Sequence, residues 1–385
     1  MLASVSKRIM VFTASLASAV PFALCVLIAR FAVPSSLPYI VFLQSSTAFG
    51  AFIIQAGLRA GLRKEYVEGR KFLVEYTTKS FIVYGTWLAG FLSPIFFFLP
   101  FEFHFFLLLA MANASLTLLL GLALLKGEHT ASIRTSVTIF HLNLLAGLST
   151  FWLHEYSFSR WVVIEGSALA LLCYLQRTLG GRVRKKASLS VVWLICKKYF
   201  GLQVASFLIV ATAFLLSVLC IKWNDPLPGL LNRYAEVSVA CNVLILIGAR
   251  AILTFEGRFL LNGKAFYLLG AIHLTVFLIA ASLAVLYGEK NWYVSFALSS
   301  ALLGQYAISS TSQYIKESYR FIVLIGCAIP PGFLLLLLYV FPMVLNPAIL
   351  YLYVNNMTVS AILFASLYLI GGKNAFIGTK KNGGA

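Results

Sequence analysis

The chain has 385 residues, of which 61% are hydrophobic and only 11% charged, and its mean hydropathy is +0.91. A soluble fold cannot cover so much apolar side chain with polar surface, so composition excludes a soluble enzyme or binding domain and points to a polytopic membrane protein. The formal net charge of +18 would suggest a nucleic-acid partner in a soluble protein, but here the basic residues are scattered over many short loops and are first read against the membrane.

A helix that crosses the hydrocarbon core needs about 20 apolar residues. In chain order the segments that offer this are 9–31, 37–58, 79–99, 103–125, 135–153, 160–179, 199–221, 231–254, 265–287, 292–314, 321–341 and 348–370. Lys7 and Arg8 precede the first of them as in a signal peptide, yet the apolar run continues to Phe31 without a cleavage-like end, so a retained first span is expected. The longest polar interval, around Arg182 to Ser190, leaves no room for a soluble domain. Twelve spans with both termini cytoplasmic put 25 of the 30 basic residues inside and leave Arg30, Arg160, Lys222, Arg233 and Lys290 outside. An odd span count or the reverse orientation spoils that asymmetry. The expected fold is therefore all-α, a polytopic bundle of 12 transmembrane helices, with the charge serving topology and, secondarily, attraction to anionic lipid. Pro21, Pro94, Pro330 and Pro331 fall inside spans and mark expected breaks or bends, for gating or for packing.

The sequence repeats itself weakly. Ile28-Ala29-Arg30-Phe31-Ala32-Val33-Pro34 matches Cys220-Ile221-Lys222-Trp223-Asn224-Asp225-Pro226 in having a base, a following aromatic and a Pro four residues after the base. Gly57-Leu58-Arg59-Ala60-Gly61-Leu62 matches Gly248-Ala249-Arg250-Ala251-Ile252-Leu253 at nearly the same offset, and Lys126 with Glu128 echoes Lys316 with Glu317. These offsets suggest two six-helix lobes, 1–185 and 186–385, related as parallel repeats about an axis along the membrane normal. Two such lobes rocking about a central cavity provide alternating access, and no phosphate-cradling Gly-rich motif is present to couple it to nucleotide hydrolysis.

Ionisable groups inside spans are functional candidates because hydrocarbon tolerates them poorly. Glu165 lies about one and a half turns into the sixth span, below Arg160 and Trp161, and is read as facing a cavity. Arg233 and Glu236 open the eighth span three residues apart, which fits either a local ion pair near the headgroups or a contribution to the lumen. Arg30 and its repeat partner Lys222 either flank the outer mouth of the cavity, where they would hold a phosphate, or reach the outer headgroups. Arg59 and Arg250 end their spans on the inner side and would form an inner phosphate funnel there, if they do more than obey topology. Gln44, Gln55, Asn113, Asn143, Asn242 and Gln305 line a cavity for sugar hydroxyls or bond between helices. The five histidines and six cysteines show no metal-ligand spacing, so no metal site is expected.

Ile28-Ala29-Arg30-Phe31, then Tyr39 and a second span, then Gly57-Leu58-Arg59-Ala60 and the basic stretch Arg63-Lys64-Glu65-Tyr66, resembles the start of polysaccharide flippases. These are the Wzx-like O-antigen transporters of the multidrug/oligosaccharidyl-lipid/polysaccharide exporter superfamily. The resemblance implies that undecaprenyl-diphosphate-linked oligosaccharide is translocated from the inner to the outer leaflet of a bacterial inner membrane. It also implies a cationic lumen for the diphosphate and sugar, coupling to an H+ or Na+ gradient without an organic cofactor, and a polysaccharide polymerase and chain-length regulator as partners. Arg30 and then Arg59 are the positions that carry over by motif; Arg233, Lys222, Arg250, Glu165 and Glu236 follow from depth and repeat position alone. The competing readings are an ion-coupled multidrug or small-molecule antiporter of the same fold and, with less support, a membrane polysaccharide polymerase, which would want a larger outer loop. Neither enzyme activity nor nucleic-acid binding is expected.

Overall fold

In the computed structural model the chain divides into two units, Met1–Gln203 and Val204–Ala385. The structure describes residues 2–33, 36–55, 57–98, 106–152, 158–180 and 188–200, with single positions 211, 214, 218, 278 and 340 beyond them. The described residues are helical throughout their ordered elements and contain no strand. Among the described residues eight helices follow in order: α1 (Leu2–Ala32), α2 (Leu37–Gln55), α3 (Leu58–Val67), α4 (Lys71–Phe97), α5 (Leu107–Lys126), α6 (His129–Trp152), α7 (Phe158–Gly180) and α8 (Leu189–Tyr199).

The six long helices fall on the first six apolar segments of the sequence. Two of them, Leu107–Lys126 with a mean hydropathy of 2.1 and Trp161–Leu179 with 1.3, are long and apolar enough to cross a membrane by length and composition. Pro21 and Pro94 lie inside α1 and α4, and neither helix is interrupted there. The sequence reading places the stretch after the second apolar segment in a connection; it instead forms α3 and the first turns of α4. α8, which the lobe boundary at 185/186 would assign to the second half, packs on α3 and α4 of the first unit.

α5 is the centre of this unit. It touches α2, α4, α6 and α7, and it can do so because its sequence is apolar all round: Leu108, Leu109, Met111, Leu116, Leu118 and Leu122 are buried on successive faces. Small residues let its neighbours close in. A Cβ added at Gly50 of α2 would come within 2.9 Å of the Ala110 Cβ, and one at Gly85 of α4 would strike the Met111 side chain.

The outside of the unit is apolar as well. On α4, Tyr84, Trp87, Leu88, Phe91 and Ile95 recur every three or four residues and form one exposed stripe, with Phe91 at 77% exposure. The opposite side of the same helix buries Phe81, Ile82 and Ala89. A helix that is apolar both toward the core and toward its surroundings calls for cover of its outer stripe by lipid or by protein.

α3 is built differently. Leu58, Leu62 and Glu65 share its buried face, while Arg59 and Lys64 are exposed. It ends in a Schellman turn: Gly69 sits at φ 86, its N–H donates to the Tyr66 carbonyl, and the Arg70 N–H reaches back to the Glu65 carbonyl, both at 3.0 Å.

Candidate functional site

A cavity of about 270 Å³ lies among α1, α2, α5 and α6. Much of its wall is apolar, with Phe22, Ile40, Leu43, Phe52 and Leu109 in contact with it. Its polar wall is made of uncharged groups. Gln44 and Thr47 come from α2 at i and i+3, Asn113 and Thr117 from α5 at i and i+4, and Asn143 from α6. These spacings put each pair on one helix face, so three helices aim amides and hydroxyls at one volume.

Some of these groups are committed to the bundle. The Gln55 amide nitrogen donates to the Ala114 carbonyl at 2.9 Å and to the Thr117 hydroxyl at 2.5 Å, tying α2 to α5. The Thr117 hydroxyl donates to the Asn113 carbonyl at 2.8 Å, and the Asn113 amide to the Leu109 carbonyl at 3.1 Å. The Gln44 and Asn143 amides have no hydrogen-bond partner among the described residues, and the buried Thr47 hydroxyl has none either. Their donors and acceptors are open to a ligand or to water.

Arg59, the second residue of α3, closes one end of the cavity and is the sole charged side chain among its described lining residues. The site can therefore hydrogen-bond a neutral, oxygen-rich group along its length and place a guanidinium against an anionic oxygen at one end. None of its described lining residues offers a carboxylate to an organic cation.

Arg30 is not part of this wall. It lies half-buried in the last turn of α1, beside the start of α2, whereas Arg59 follows the end of α2. The 19 residues of α2 separate the two arginines by roughly 28 Å at 1.5 Å per residue. One phosphate cannot reach both.

Glu165 is 1% exposed and also lies away from the cavity wall. From the third turn of α7 its Oε2 accepts the Leu108 N–H at 2.8 Å. Phe106, the N-cap of α5, provides no side-chain cap of its own, so a carboxylate from the neighbouring helix meets the positive end of the α5 dipole instead. Its Oε1 has no hydrogen-bond partner among the described residues.

A second polar centre, which the sequence reading quoted only as part of a basic stretch, joins α3 to α8. Glu65 is 3% exposed, and its Oε1 accepts the Tyr199 hydroxyl at 2.5 Å and the Lys198 ammonium at 3.0 Å, while Arg70 pairs with Oε2. Burial raises the pKa of a carboxyl, but the hydrogen bonds from Tyr199 and Lys198 and the charges of Lys198 and Arg70 outweigh it and hold the Glu65 carboxyl below its ordinary range. The backbone must come close for this to happen. A Cβ at Gly57, whose φ is 86, would lie 2.8 Å from the Phe200 nitrogen, and one at Gly61 would lie 2.5 Å from the Tyr199 ring and 2.8 Å from Ile195. Gly57 and Gly61 stand four residues apart in the sequence, and that small-residue spacing is the signal for a helix docking site.

Lys222, Arg233, Glu236 and Arg250 lie outside the described residues, as do Asn242 and Gln305. Among the described residues no cluster of His, Cys, Asp or Glu could hold a metal ion. No protein-family model, curated protein or solved structure matches the chain.

Proposed function

We propose that the protein is a flippase that carries undecaprenyl-diphosphate-linked oligosaccharide repeat units across the bacterial inner membrane by alternating access, with twelve spans in two six-helix lobes. The observation that carries this reading is the chemistry of the cavity: amides and hydroxyls from three helices, one arginine at its end, and no carboxylate among its described lining residues. Sugar hydroxyls pair with neutral amides, and a diphosphate pairs with a guanidinium. At about 270 Å³ the cavity is at the lower edge of ligand-site volumes. It takes one ring-sized group of a repeat unit and leaves the lipid tail to the apolar exterior. Coupling to H+ or Na+, and action beside a polymerase and a chain-length regulator, complete the proposal.

Gene deletion in the host tests it. Complete lipid-linked repeat units should accumulate on the cytoplasmic leaflet, with surface polymer lost. Units that reach the outer leaflet unpolymerised would assign the protein to polymerisation, and unchanged pools would favour the multidrug antiporter. Arg59→Ala and the double substitution Asn113→Leu with Asn143→Leu should each reduce surface polymer at normal protein level. Normal polymer in both variants would remove the cavity from the transport path.

A further inference from the structure

We infer that the α3–α8 junction aims Arg59 into the cavity, and that Glu65 is therefore a positioning residue for the charged end of that site. This role rests on the proposed function in taking the cavity as the place where cargo binds, but the geometry is measurable without cargo. Arg59 reaches the cavity from a corner. α2 ends at Gln55, α3 begins at Leu58, and Gly57 between them holds the left-handed conformation of the turn. The α2 side of the corner is tied to α5 by the bonds of Gln55 to Ala114 and Thr117.

The α3 side is tied to α8. Gly57, Gly61 and Glu65 are buried and follow one another at intervals of four, so they share one face of α3 and its cap. All three meet residues 195–200. The Phe200 backbone nitrogen stands 2.8 Å from where a Cβ of Gly57 would lie, Tyr199 and Ile195 close on Gly61, and Glu65 accepts the Tyr199 hydroxyl at 2.5 Å and the Lys198 ammonium at 3.0 Å. Arg59 is two residues on from Gly57, about 200° round the helix. It therefore leaves α3 on the side away from α8, and there it lines the cavity.

With α8 behind it and the cavity in front, α3 passes any displacement at its back on to Arg59. A helix of 10 residues does not hold its own shape or place. Leu58 and Leu62 are buried too, but apolar packing tolerates rotation and sliding, whereas the directed bonds of Tyr199, Lys198 and Arg70 onto one carboxylate fix both. Without them α3 can turn. A guanidinium pairs with phosphate in a narrow geometry, and a misplacement of about 1 Å is enough to lose most of an oriented contact.

Spin labels test the aim directly. The full chain, with its six native cysteines replaced by alanine, is reconstituted in lipid and labelled at Arg59→Cys and Leu145→Cys. A second pair, Ile53→Cys with Leu145→Cys, is the reference for α2 against α6, and all three positions are exposed. Glu65→Ala should broaden the distance distribution between 59 and 145 and leave that between 53 and 145 as it was. Tyr199→Phe, which removes one oxygen and keeps the ring against Gly61, should broaden it less, and Glu65→Gln, whose amide oxygen still accepts the Tyr199 hydroxyl, should restore most of the original width. In the host, Glu65→Ala should lower surface polymer several-fold at equal protein level and add nothing to the loss caused by Arg59→Ala, since a residue that acts through Arg59 has no effect once Arg59 is gone. An unchanged distribution between 59 and 145 would overturn the inference. So would equal broadening of both pairs, which would make the junction a support of the whole bundle, and so would a further loss in the double variant. Normal polymer with Arg59→Ala would remove the transport reading instead, and the distances would still decide whether Glu65 aims Arg59.

Discussion

The two buried carboxylates among the described residues, Glu65 and Glu165, are made tolerable by opposite means. Glu65 is surrounded by side chains: a hydroxyl, an ammonium and a guanidinium converge on it where α3 meets α8. Glu165 is met by backbone, with the Leu108 N–H at the start of α5 as its hydrogen-bond donor and no ionic partner at 4 Å or less among the described residues. The difference follows location. Near the end of the bundle long basic side chains can keep part of their length in water, since Arg70 and Lys198 are 47% and 52% exposed. Deep between α5 and α7 no cation is at hand among the described residues, and the positive end of a helix takes its place.

The sharpest break of this comparison is Gly61→Leu. With Tyr199 and Ile195 already in the space a Cβ would enter, the junction must open, and thermal unfolding in detergent should show a loss of about 3 kcal/mol, the upper end for overpacking. Full stability would mean that α8 can dock elsewhere at no cost. Glu65→Ala comes next, at about 2 kcal/mol: it strands the Tyr199 hydroxyl in a buried position, while the half-exposed cations regain water and soften the loss.

Acid titrates the same centre. Because the folded Glu65 carboxyl is held below its unfolded value of 4.5, its contribution is fully present above that value and is lost as pH falls through the folded one. The melting temperature should therefore drop on acidification below about pH 4, and Glu65→Gln should flatten that part of the profile. A variant that keeps the wild-type profile would assign the acid sensitivity to another group.

Glu165→Ala should cost about 1 kcal/mol, the usual worth of a helix N-cap, and Glu165→Gln nearly nothing, because the amide oxygen still accepts the Leu108 N–H. If Glu165→Gln keeps stability but loses transport, the proton on this carboxylate serves coupling as well as capping. If it loses neither, capping accounts for the residue.

How much of this could be read in advance depended on the kind of residue. The six long helices of the first unit are visible in the amino-acid order because sustained hydropathy over about 20 residues needs no partner to be recognised. α3 and α8 were not visible. At 10 and 11 residues, with Arg63, Lys64, Lys197 and Lys198 among them, each is short enough and polar enough to pass for a connection until the other covers its apolar face. Gln44, Gln55, Asn113 and Asn143 stood out as polar residues in apolar stretches, with two uses open to them. The fold brings all four to one cavity and gives Gln55 the second use as well, through its bonds to Ala114 and Thr117.

The sequence alone determined an apolar chain, the positions of the six long helices described in its first unit and the inventory of polar residues within them, because those properties are local and periodic. Only the tertiary structure decided that Arg59 closes the cavity while Arg30 lies a helix length away, that Glu165 caps α5, and that Glu65 joins α3 to α8. Each of those is a distance between residues far apart in the chain, and such distances are set by how helices pack on α5 and by where a missing Cβ lets two backbones meet.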